Sequence, residues 1–106
     1  MTESLSGQIE QFLTYLRDVR QLSPHTLSNY ARDLNVLEQW CVEENLPTAS
    51  TIQAGDIRKF ASQMHRQGLA GSSIQRRLSA IRSLYNHLGR QRKYGIEHNP
   101  ASGIQA

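Results

Sequence analysis

Cysteine is nearly absent from this sequence. The single Cys41 has no second thiol for an internal disulfide, and with four scattered histidines it forms no metal-ligand spacing, so no metal site is expected. Long apolar runs are missing as well. No stretch approaches the ~18 residues that span a bilayer, and no basic-then-apolar leader opens the chain, which points to a cytoplasmic protein. The signatures G-x-x-x-x-G-K-[ST], G-x-G-x-x-G, H-E-x-x-H and G-x-S-x-G do not occur, and no pair of acids sits in an arguable apolar pocket. By itself the chain is therefore expected to be neither a catalyst nor the holder of a cofactor. Its 106 residues, 38% of them hydrophobic, supply one modest core, one domain and a plausible monomer.

One absence is local. Residues 57–96 contain no Asp or Glu, yet carry nine bases: Arg58, Lys59, Arg66, Arg76, Arg77, Arg82, Arg90, Arg92 and Lys93. Residues 1–56 hold eight acids against Arg17, Arg20 and Arg32. A net charge of +3 conceals this division. A charge run can be an ordinary solvated face, but bases with no acids among them repel one another unless a polyanion offsets them.

Helical periodicity dominates what remains. Leu5, Ile9, Phe12, Leu13, Leu16 and Val19 share one side of a first helix over about Gly7–Arg20, with Ser4 or Ser6 as its cap. Ser23 and Pro24 form an N-cap and first-turn pair that starts a second helix, reaching about Glu44. Leu27, Tyr30, Leu34, Leu37 and Cys41 lie on its buried side, with Trp40 at the border and Cys41 as a small core hydrophobe. His25, Asn29, Arg32 and Val36 lie opposite. His25, Thr26 and Asn29 occupy the first turns, where free N–H groups and the helix dipole favour an anion such as phosphate, although a local cap accounts equally for His25 and Thr26.

After a connection with a short turn near Thr51–Ala54, a third helix is expected from a cap at Asp56 to Gln67, stopped by Gly68. A fourth follows, capped by Gly71-Ser72-Ser73 and ending near Gly89. Ile74, Leu78, Ile81, Leu84, Tyr85 and Leu88 form its core side. On a projection centred on Ile74 and Ile81, Ser72, Arg76, Ser79, Ser83 and Asn86 point away from the core, while Gln75 and Arg82 flank one side. Arg77 falls at the apolar border, where an ion pair with Asp33 or Glu38 competes with a phosphate contact. Arg90, Arg92 and Lys93 lie in a short basic turn, Pro100 closes the helical unit, and residues 101–106 read as the start of a linker. The fold class expected is all-α: four main helices in a compact orthogonal bundle.

Cations and helix N-termini that grip phosphate, with polar side chains able to reach base edges, are what duplex DNA recognition requires. Gln75 and Arg76 are the best placed to read bases. A helical module whose basic half docks an acidic protein is the alternative.

Gln21-Leu22-Ser23-Pro24-His25-Thr26-Leu27 with Tyr30 and Asp33-Leu34, Gly68-Leu69 before Ser72-Ser73, Arg77 through Leu88, and Asn99-Pro100-Ala101-x-Gly103-Ile104 together resemble the N-terminal core-binding domain of tyrosine recombinases, closest to the XerC type. The resemblance covers nearly the whole chain. It implies a SAM-like domain, residues 1–100, forming half of a C-shaped clamp around duplex DNA. The Arg, Lys, His and Tyr catalytic set would belong to a separate C-terminal domain, reached through the linker at 101–106. It also implies chromosome dimer resolution with a XerD-type partner subunit and a cell-division DNA translocase. Transferred onto matching positions, it favours Thr26, Tyr30, Ser73, Arg77, Ser79 and Arg82 near DNA or the DNA-facing core, although the apolar helical phase of Tyr30 gives that residue a structural role.

Overall fold

The computed structural model describes residues 4–104. Four α-helices carry the chain: α1 (Leu5–Asp18), α2 (Pro24–Glu43), α3 (Ala54–Arg66) and α4 (Gly71–Gly89). Short 3₁₀ turns at Ala49–Thr51 and Arg92–Tyr94 complete them, and no strand occurs among the described residues. The all-α expectation is met.

Local chemistry explains the helix limits. The Ser4 hydroxyl accepts from the Gly7 N–H at 3.1 Å, and that of Ser23 accepts from Thr26 N–H at 3.2 Å, so each satisfies a donor that the helix start leaves open. α3 begins two residues before its expected cap. Gln53 is the N-cap, and the Asp56 carboxylate reaches back to the Gln53 N–H at 2.8 Å in a capping box. Gly68 stops α3 with φ of 86°, a left-handed conformation in which a Cβ is strained, while Leu69 N–H bonds the Met64 carbonyl at 3.1 Å.

α4 is the central element, packing on α1, α2 and α3. It buries Ile74, Leu78, Ala80, Ile81, Leu84, Tyr85 and Leu88. The first 3₁₀ turn lies at Ala49–Thr51, ahead of the expected Thr51–Ala54, because both backbone groups of the fully buried Ala49 are taken by other elements. Gln8 on α1 accepts from its N–H at 3.2 Å, and the Tyr85 hydroxyl donates to its carbonyl at 2.6 Å. Buried polar groups need such partners, and these two tie α1 and α4 to the connection.

Residues 101–104 depart from the linker expectation. Ala101 and Ile104 are buried against the bundle. Arg82 donates to both of their carbonyls, and Asn99 bridges the Arg82 carbonyl and the Asn86 side chain at 3.0 and 3.1 Å. Low hydrophobicity in a short segment does not leave it loose when a neighbouring helix supplies the missing hydrogen bonds. Residues 105 and 106 of that expected linker lie outside the described residues.

Candidate nucleic-acid interface

Asp33 organises the seam between α2 and α4. Its side chain is 2% exposed, and it accepts from Arg76 Nε and Nη2 at 3.0 and 3.1 Å and from Arg77 Nε at 3.2 Å. Arg77, itself mostly buried, also reaches the Met64 sulfur of α3 at 3.4 Å. Of the two acids of α2 expected as partners for Arg77, it is Asp33 that pairs with it. Arg76 differs from the projection, which turned it directly away from the core. Ala80 and Leu84 are buried, so the packed arc of α4 is wider than its Ile74–Ile81 centre, and Arg76 lies on the edge of that arc facing α2. Its guanidinium stays 46% exposed, and the carboxylate beside it raises its pKa further, fixing the positive charge.

Two cations on one carboxylate leave the cluster positive at the surface. The acid-free stretch is thus less lonely in space than in sequence: Arg76 and Arg77 pair with Asp33, and Lys59 with Glu44. Arg58, Arg66, Arg90 and Arg92 of that stretch carry no ion pair among the described residues, nor does Arg32 on α2.

The other expected site residues divide clearly. Gln75 and Ser79 are exposed beside Arg76, and His25 and Arg32 are exposed on α2, with Asn29 half-buried one turn before Asp33. These belong to one face around the seam. Thr26 is committed to its helix start, its hydroxyl accepting from Ser23 at 3.0 Å. Ser72 and Ser73 stand inside the first turn of α4 instead of capping it, because the N-cap is Ala70, which offers no side-chain bond. Arg82 is spent on the carbonyls of residues 101 and 104. Arg92 and Lys93 sit in the second 3₁₀ turn, which Tyr94 anchors to Gln11 of α1 at 2.6 Å, away from the seam. Arg90 lines a different concavity, with Arg20.

Asp33 was expected only as one of two acids for Arg77, and its pairing with Arg76 was missed. Its signal is position: it shares a helical line with Tyr30 and Leu37, a place where a carboxylate stays charged only if cations come to it. Elsewhere no group of three or more His, Cys, Asp or Glu residues converges on a common point among the described residues. No helix among them is long and apolar enough to cross a membrane. Cys41 is buried, and burial pushes its thiol up from 9.0 to about 12, which leaves it a packing residue.

A four-helix all-α unit with a cationic seam between its second and fourth helices is the class this geometry defines. The chain belongs to the phage integrase N-terminal SAM-like domain family, whose pattern matches residues 9–92. Among curated proteins it is 37% identical over 100 residues to tyrosine recombinase XerC of Pseudomonas fluorescens strain Pf0-1, a match covering 94% of this chain and 33% of that protein. The tyrosine recombinase XerC of Azotobacter vinelandii strain DJ is also 37% identical over 100 residues, with the same coverage. That of Pseudomonas putida strain W619 is 37% identical over 103 residues, covering 96% of this chain and 33% of the relative. The chain thus spans about a third of the length of the curated relatives it matches. No solved structure matches it significantly.

Proposed function

We propose that this chain is the DNA-binding domain of a site-specific tyrosine recombinase of the XerC type, holding duplex DNA for strand exchange performed by a catalytic domain elsewhere. The observation that carries this is the pairing of Asp33 with Arg76. A buried carboxylate occupies one edge of the guanidinium and leaves about half of the side chain exposed, so the cation is pre-oriented without being neutralised. Such a group loses little freedom on meeting a phosphate or a guanine edge. Arg32 and His25 extend the same face along α2.

The wider context is what the resemblance to tyrosine recombinases implies, and the shared name of the relatives supports it. In a full-length protein the catalytic residues would lie in a C-terminal domain joined beyond residue 104. The enzyme would act in the cytoplasm with a XerD-type partner and a cell-division DNA translocase in resolving chromosome dimers.

Titration of the chain with a labelled duplex at increasing salt tests the DNA assignment. About four phosphate contacts give a log–log slope near −3 to −4. Absence of binding at low salt, or binding indifferent to salt, overturns it.

A further inference from the structure

Of five surface concavities among the described residues, four include a carboxylate: Glu38 in one, Glu10 in two and Glu97 in another. The fifth has none. It is also the smallest of these five, about 180 Å³, and two arginines line it, Arg20 from just past α1 and Arg90 from just past α4. Neither arginine has an ion pair among the described residues. Two arginines that line one concavity with no acid among its lining residues place like charges near each other, and an anion held between them offsets that repulsion.

The lining residues supply donors. The hydroxyls of Tyr30 and Ser83 make no hydrogen bond to another described residue. Asn86 accepts from Asn99 through Oδ1 at 3.1 Å, which leaves its NH₂ group as a donor. His87 is fixed by ring contacts with Phe12 and Tyr15, centroids 5.3 and 4.6 Å away, and by Gln91 at 3.1 Å from one ring nitrogen. A volume below the ~300–1,000 Å³ of organic-ligand sites suits a small anion.

We propose that the concavity formed by Arg20, Tyr30, Ser83, Asn86, His87 and Arg90 is a phosphate-binding site, and, resting on the DNA-binding reading, that it takes a backbone phosphate of the duplex. Arg90 lies fourteen residues beyond Arg76 on the chain, about 21 Å along a helix axis. That exceeds the ~12 Å width of the major groove, so α4 laid across the groove brings its two cationic ends to opposite backbones. Arg20 and Arg90 then neutralise phosphate at the far end, while Arg76 and Gln75 work at the near one.

Two-dimensional NMR of the full chain, with inorganic phosphate in one arm and duplex DNA in the other, tests this alongside the double variant Arg20→Gln/Arg90→Gln. Both arginines are exposed, and thermal melting checks that the variant folds. The expected result is saturable shifts at Ser83, His87 and Arg90 with either titrant. The variant should bind duplex about tenfold more weakly, with a salt slope shallower by about 2. Duplex binding that leaves those signals and the slope untouched overturns the site while the DNA assignment stands. Saturation by inorganic phosphate without any duplex binding supports the site, makes free phosphate its ligand and overturns the DNA assignment. No response to either titrant overturns both.

Discussion

Asp33 on α2 and Arg76 on α4 form a side-on pair, 3.0 and 3.1 Å, in which the carboxylate is buried and the guanidinium half-exposed. The asymmetry separates stability from binding. Removal of the acid strands the mostly buried Arg77 cation, whereas removal of Arg76 leaves Asp33 still bonded to Arg77.

Asp33→Ala is therefore expected to cost about 3 kcal/mol of unfolding free energy, as for breaking one side of a buried ion pair. Arg76→Ala should cost about 1 kcal/mol or less, because its charge is solvent-screened. Urea denaturation of the two variants measures both. Equal losses would show that the seam has no buried-charge component.

Arg82→Ala should free residues 101–104 without unfolding the bundle. Arg82 is the side chain that bonds the Ala101 and Ile104 carbonyls. Hydrogen exchange should show the Ile104 amide, which bonds the Ala101 carbonyl at 3.3 Å, losing protection while those of Leu78 and Leu84 keep theirs. Substitutions at Arg82 thus report on packing as well as on DNA, and Arg32 and Arg90 are cleaner probes of charge.

Arg76 and Arg82 mark where sequence stops being enough. Helix number, type, two of the starts and the end of α3 were legible, because the apolar spacing and the Ser4, Ser23 and Gly68 signals are local. Partners across the bundle were not. Periodicity places Arg76 and Arg82 on polar arcs but does not say which neighbouring element lies beside each arc. The segment at 101–104 shows the same limit, since its order comes from Arg82 and Asn99 and not from its own hydrophobicity. The concavity at Arg20 and Arg90 joins residues seventy positions apart, and no window of sequence contains it.

Alkaline pH should destabilise the fold through Cys41. Burial raises its thiol from 9.0 in the open chain to about 12 in the folded one, so folding favours the protonated form. Stability from this group is complete below pH 9 and is lost as pH rises through 9 towards 12, because the unfolded chain ionises first. Buried Tyr85, also shifted upward by burial, adds to the loss in the same direction. Denaturant midpoints measured between pH 8 and 11 should fall, and Cys41→Ala should flatten the first part of that fall. Cys41 should also resist alkylation at pH 8 until denaturant is added.

Acid should act through His87. Burial first, and then the nearby Arg90 charge, hold its pKa below the ordinary imidazole value, so the folded state favours the neutral ring. The unfolded chain takes up the proton first as pH drops through about 6.5, and the stability this group contributes above that pH is lost toward its lower folded-state pKa. Proton NMR of the ring should give a midpoint below the ordinary imidazole value of about 6.5. Arg90→Gln removes the nearby positive charge, leaves the burial and should move the His87 midpoint up part of the way. A midpoint unmoved by that substitution would mean that Arg90 does not face the ring, and that the two groups do not share one site.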